Sequence, residues 1–165
     1  RLELEMGPLV NKKQFDLVQR FVQQAEAAHI PVAAKGALHP DAATSGYYQP
    51  AVLFRDVPPE SDLAQKEIFG PVLAAMPFDT EDEAVRLANG TAYGLVAGIW
   101  TRDGSRALRV ARRMRCGQVF INNYGAGGGV ELPFGGVKSS GHGREKGFEA
   151  LMSFTVLKTI AIKHG

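Results

Sequence analysis

The chain has 165 residues, 45% hydrophobic and 22% charged, with a formal net charge of +2. That length supports a core of ordinary size, the near-balanced charge leaves no footprint for nucleic acid, and no apolar run reaches the roughly 20 residues of a membrane helix. The single cysteine, Cys116, excludes an internal disulfide and a multi-cysteine metal site, and fits a reducing, cytoplasmic setting. The opening residues, Arg1-Leu2-Glu3-Leu4-Glu5, are not a signal peptide and include no initiator methionine, so a chain that begins inside a longer polypeptide is expected.

Met6-Gly7-Pro8-Leu9 reads as a turn, after which Asn11 caps a helix running to about His29. Phe15, Val18, Val22 and Ala25 form its apolar stripe, widened by Leu17 and Phe21. Gln14 falls in the first turn, where its amide meets either a ligand or water. A short strand at 31–34 ends at Gly36, residues 38–47 form a loop, and 48–55 read as a second strand before Pro58-Pro59. Ser61 or Asp62 caps a short helix into Glu67.

Then comes Gln65-Lys66-Glu67-Ile68-Phe69-Gly70-Pro71, with a carboxylate and an aromatic ring two residues apart. Gly frees the backbone and Pro fixes it, so the pair reads as a rigid turn into the apolar run 72–76. An ionised carboxylate only accepts hydrogen bonds, which suits paired ribose hydroxyls, and a phenyl face suits a heteroaromatic ring. On residue types alone, a helix end whose Phe is simply core accounts for the same stretch.

A strand at 72–78 precedes Thr80-Glu81-Asp82-Glu83, a capping box for a helix ending at Asn89-Gly90. A strand at 96–100 follows. Asp103 then caps a helix with Ala107, Leu108, Val110, Ala111 and Met114 buried and Arg106, Arg109, Arg112 and Arg113 on or beside its outer face. Gly117 ends it, and residues 118–121 form the next strand. Strand, helix, strand, helix, strand with short links predicts an α/β fold with a largely parallel sheet and ligands at the carboxyl ends of its strands. Residues 122–143 are a long Gly-rich loop, the kind that carries function in compact domains. A helix around 145–152 and a terminal strand at 155–163 complete the chain, the strand needing a partner inside or outside it.

Two Gly-rich stretches invite phosphate-binding readings and fail them. Gly125 to Gly129 lacks the Gly-Lys-Ser/Thr of a P-loop, since Lys138-Ser139 follows Val137. Gly141-His142-Gly143-Arg144-Glu145-Lys146-Gly147 follows Pro133-Phe134-Gly135-Gly136 rather than a strand. Cys116 lies at a helix carboxyl end, where the dipole opposes a thiolate, and reads as structural rather than nucleophilic. The four histidines show no metal spacing.

Four blocks in order, Glu67-Ile68-Phe69-Gly70-Pro71, Tyr93-Gly94-Leu95, Pro133-Phe134-Gly135-Gly136 and Ser140-Gly141-His142-Gly143-Arg144-Glu145, resemble the NAD(P)-dependent aldehyde dehydrogenases. The resemblance implies the carboxyl-terminal part of the catalytic domain over 1–152, in a three-layer fold incomplete at its start, with 153–165 an oligomerisation strand. It implies that Glu67 holds the nicotinamide ribose of NAD or NADP, that Phe69 lies against the nicotinamide, and, more weakly, that Gln14 reaches the adenosine ribose. Phe134, with Gly127 and Gly128 in the loop before it, would wall the aldehyde tunnel. Arg144 and Glu145 would form salt bridges near subunit contacts in a homo-oligomer joined through the last strand. The implied reaction oxidises an aldehyde to an acid through a cysteine thioester. The family's nucleophile sits in a Gly-Gln-x-Cys context that this sequence lacks, so no catalytic residue is expected in this chain. A stand-alone nucleotide-binding or scaffold module is the alternative.

Overall fold

Asn11 starts the first helix, α1 (Lys12–Ala27): its backbone is extended and its side chain accepts the Gln14 N–H at 2.9 Å. This is a computed structural model, and it describes residues 6–42, 45–123 and 129–165. Val18, Phe21, Val22 and Ala25 recur at helical spacing and form the buried stripe of α1. Phe15 and Leu17 lie half-buried at its margins, the Phe15 ring 6.3 Å from that of Tyr47.

The chain divides into two compact units, Arg1–Asp79 and Thr80–Gly165, where the sequence led us to expect one domain through residue 152. In the first unit β1 (Val32–Lys35) pairs antiparallel with β2 (Val52–Phe54), and β2 pairs parallel with β3 (Val72–Ala74). The short helix α2 (Asp62–Gln65) lies between β2 and β3 in the chain. The strand expected at 48–55 shortens to three residues because Pro50 brings no N–H to a ladder. Pro77 likewise stops the strand expected at 72–78 from extending. Val18, Phe21, Val22, Ile30, Val52, Phe54, Val57, Leu63 and Ile68 close into one core. Each such side chain contributes about 1.5–3 kcal/mol when fully buried.

In the second unit Thr80 accepts the Glu83 N–H at 3.2 Å and opens α3 (Glu81–Asn89). β4 (Val96–Ile99) leads to α4 (Gly104–Ala111), which Asp103 caps by accepting the Arg106 N–H at 3.0 Å. β5 (Gln118–Ile121) then pairs parallel with β4. A 3-10 turn (Lys138–Ser140) and α5 (Gly147–Ser153) follow. The fold is α/β, and of the three strand pairings among the described residues two are parallel. β3 joins β2 in the first unit, so the strands expected to share one sheet are split between two.

Two apolar expectations fail here. On α4 only Ala107 is buried, while Leu108 is exposed and Val110, Ala111 and, past the helix end, Met114 are half-buried, because a two-stranded sheet covers a narrow face. The strand expected at 155–163 is irregular chain, with Val156 and Leu157 both 93% exposed. An extended segment becomes a strand only beside a partner edge, and among the described residues no strand pairs with it.

The Arg-rich face of α4 is not simply solvated. Arg109 grips both Glu81 oxygens at 2.7 Å, Arg106 and Arg113 approach the same carboxylate at 3.6 and 3.8 Å, and Arg113 meets Asp82 at 2.7 Å. The acids also sit in the first turn of α3, where the helix dipole favours them. The hydrogen bond from Arg109 holds the Glu81 carboxyl below its ordinary 4.5. A carboxyl lowered by folding stabilises above its unfolded pKa, and that contribution is lost as pH falls through the folded one. Acid titration of unfolding is therefore expected to show a loss beginning below about pH 4.5 that Glu81→Gln flattens; an identical acid limb in the variant would refute the linkage.

Candidate cofactor site

The turn after α2 sorts three consecutive side chains. Lys66 leaves the helix with extended backbone, and the Gln65 amide fixes the exit by donating to the Pro59 carbonyl at 2.6 Å. Ile68 then enters the core at 8% exposure, while Glu67 before it is exposed and Phe69 after it is 69% exposed. The reading of Phe69 as core is thereby corrected: Ile68 takes the core position and the ring stands in solvent.

The backbone that presents them is held at several points. Phe69 adopts φ +53, the left-handed region that is uncommon outside glycine. Gly70 follows because a Cβ there would lie 2.4 Å from Val18 Cγ2, so the turn rests directly on α1. The Val72 N–H donates to the Gly70 carbonyl at 2.8 Å, closing a three-residue turn over Pro71. The Pro71 carbonyl accepts the Val52 N–H at 2.9 Å and joins the turn to β2.

Gln14 has a protein partner where the sequence left a choice between ligand and water. Its side-chain nitrogen donates to the Ile68 carbonyl at 2.7 Å and to the Phe69 carbonyl at 3.0 Å. An amide NH2 has two hydrogens, and two carbonyls take them. No spacing rule links positions 54 and 55 residues apart, so sequence reasoning missed this connection.

In the second unit Phe134 and Glu145 exchange backbone bonds, Phe134 N–H to Glu145 at 2.7 Å and Glu145 N–H to Phe134 at 2.6 Å. The Lys146 ammonium lies 5.7 Å from the centre of the Phe134 ring, within cation–π range. Arg144 donates to the Gly136 and Gly143 carbonyls, so its guanidinium binds backbone where a salt bridge was expected. Gly127 and Gly128 lie outside the described residues. The Gly141 to Gly147 stretch leaves no strand and opens only the short α5, so a dinucleotide-binding strand–turn–helix is absent among the described residues.

Cys116 is not poised as a nucleophile. It is half-buried, its thiol donates to the Gln118 carbonyl at 3.1 Å, and burial pushes its pKa up. No metal-binding cluster exists among the described residues, and no helix there is long and apolar enough to cross a membrane. An open cleft of about 480 Å³ at the carboxyl ends of β4 and β5 is lined by Trp100, Thr101, Arg102, Gly104 and Asn122. None of the residues singled out for cofactor or substrate lines it.

The aldehyde dehydrogenase family model matches residues 1–160. The chain is 44% identical over 159 residues to the NADP/NAD-dependent aldehyde dehydrogenase PuuC of Escherichia coli, covering 95% of this chain and 30% of that protein. A Burkholderia cenocepacia crystal structure, named provisionally as an aldehyde dehydrogenase, superimposes with a TM-score of 0.93 at 68% identity, over all of this chain and 35% of that one. The NAD+ complex of a Bacillus cereus aldehyde dehydrogenase gives 0.86 at 39% identity, over 96% of this chain and 31% of that one. The chain thus spans about a third of the length of the proteins it matches. Those shares do not bear out the carboxyl-terminal position expected from the motifs. Matched along nearly its whole length, the chain belongs to the aldehyde dehydrogenase family.

Proposed function

We propose that this chain is part of an enzyme that oxidises an aldehyde to a carboxylic acid with NAD or NADP, and that it supplies the holder for the nicotinamide end. The observation that carries the reading is the turn itself: Glu67 and Phe69 exposed on either side of buried Ile68, on a backbone pinned from three directions. The residues fit the cofactor. Glu67 is a free-standing acceptor for two vicinal ribose hydroxyls, and Phe69 offers an open face to a planar ring.

NAD(P), when bound, supplies the hydride acceptor. Glu67 fixes the ribose and thereby the rotation of the ring it carries. Phe69 covers one face of that ring and excludes water from it. Such positioning lowers the entropy cost of reaching the transition state. Phe134 serves as a wall for the aldehyde, its ring set by the Phe134–Glu145 bridge and faced by Lys146. The exposed tail from Thr155 onward is assigned to a sheet edge of a second subunit.

The cysteine nucleophile and the carboxylate base are assigned to polypeptide outside these residues, because Cys116 is the only cysteine and burial raises its thiol pKa. A thiolate forms the thioester in this chemistry, and a raised thiol pKa works against it. The chain by itself is expected to produce no NADH from any aldehyde, read at 340 nm. Turnover that disappears on Cys116→Ala would overturn the assignment.

A further inference from the structure

We infer that Gln14 is a positioning residue: it sets the cofactor-facing turn through the backbone of Ile68 and Phe69 and does not itself touch the adenosine ribose. The inference rests on the cofactor reading proposed above. The Gln14 amide nitrogen lies 2.7 Å from the Ile68 carbonyl and 3.0 Å from the Phe69 carbonyl, the two carbonyls that flank Phe69 along the chain. Phe69, held between those carbonyls and just before Gly70, is the one residue of the turn at positive φ, at +53. A left-handed aromatic residue persists only where its surroundings hold it. The Gln14 clamp and the contact of Gly70 with Val18 are two such holds, and both come from α1.

The clamp has its own support. The Gln14 backbone N–H is fixed by the Asn11 side chain at 2.9 Å, so the helix start and the turn are registered through one residue. With both amide hydrogens bound to protein, Gln14 offers a ligand hydroxyl no donor and only its side-chain oxygen as an acceptor. Loss of the clamp releases the peptide between Ile68 and Phe69. Phe69 then samples extended backbone, and Glu67, one residue upstream of buried Ile68, loses its fixed direction.

The test compares NAD with ADP, which carries the adenosine ribose but not the nicotinamide riboside, on the full-length enzyme of which this chain is read as a third. Gln14→Met keeps length and removes both donors. It is expected to raise the NAD dissociation constant about fivefold to tenfold and to leave ADP binding unchanged. The KM for NAD follows the dissociation constant. Combined with Glu67→Gln, it is expected to add nothing to the loss that Glu67→Gln gives alone, because it acts through that carboxylate.

An equal loss of ADP binding in Gln14→Met would place Gln14 on the adenosine ribose and overturn the inference. Unchanged NAD binding in Gln14→Met, beside weakened binding in Glu67→Gln, would also overturn it while leaving the cofactor reading standing. Unchanged NAD binding in Glu67→Gln itself would remove both. Should Gln14→Met not fold, Gln14→Glu, of the same shape with no donor, is read in the same assays.

Discussion

Glu67→Gln is expected to weaken NAD binding about 10- to 100-fold and to leave the fold untouched. The substitution keeps the shape and replaces a charged acceptor by a neutral amide. A carboxylate takes both ribose hydroxyls in charge-assisted bonds, whereas an amide offers one oxygen and presents N–H groups to the other hydroxyl. Hydrogen bonds to a charged group are each worth about 1.5–3 kcal/mol, which sets the range. Glu67 is exposed, and the core contact at this point of the turn belongs to Ile68, so thermal stability should not move. Calorimetric titration of the full-length protein with NAD checks the affinity, and a denaturation curve checks the fold. Wild-type affinity in a folded variant would remove Glu67 from the site.

The helix starts were legible because capping is local chemistry. Asn11, Thr80 and Asp103 each sit one residue before a helix and each accepts the N–H three residues on. The stripe of α1 was legible for the same reason, with Val18, Phe21, Val22 and Ala25 all buried where the period places them. What the sequence withheld was non-local. β3 pairs with the earlier strand β2, and nothing in residues 72–74 distinguishes that partner from β4. The tail reads as a strand by alternation, yet alternation states only that one face wants cover, not that an edge is present to pair with.

The site shows the same division at smaller scale. Residue chemistry alone left Glu67 and Phe69 between a holder and a plain helix end, the family resemblance favoured the holder, and the turn at Gly70-Pro71 is where the sequence put it. Which aromatic or aliphatic side chain would take the core position was not recognisable. Ile68 and Phe69 are both apolar, and the structure buries Ile68 while Phe69, at positive φ, stands exposed. The role of Gln14 was hidden for a different reason: an amide in a helix's first turn is compatible with water, ligand or backbone, and the choice depends on a turn more than fifty positions away.

Gly117→Ala is expected to destabilise the protein by about 3 kcal/mol, the upper part of the range for overpacking, and to raise the KM for the aldehyde. A Cβ at Gly117 would lie 1.6 Å from the Gly135 carbonyl oxygen and 2.7 Å from its carbon. Those are backbone atoms, so no side-chain rotation relieves the clash. The Gly117 N–H is itself held by the Gly94 and Leu95 carbonyls at 3.1 Å, and the Val137 N–H returns to the Gly94 carbonyl at 2.9 Å. Gly117 cannot retreat without opening that crossing, so the segment around Gly135 must move. It carries Phe134, the proposed wall of the aldehyde site, and the disturbance therefore reaches substrate as well as stability. Gly104→Ala is the matched control: nothing lies within 4 Å of the added methyl, and the position opens α4. There alanine is expected to be neutral or to stabilise by about 0.4–1 kcal/mol, by restricting the unfolded chain. Urea denaturation of both variants, with aldehyde KM measured alongside, separates a close backbone crossing from a general cost of removing glycine. Equal small effects at the two positions would mean that the crossing is loose enough to absorb a methyl group.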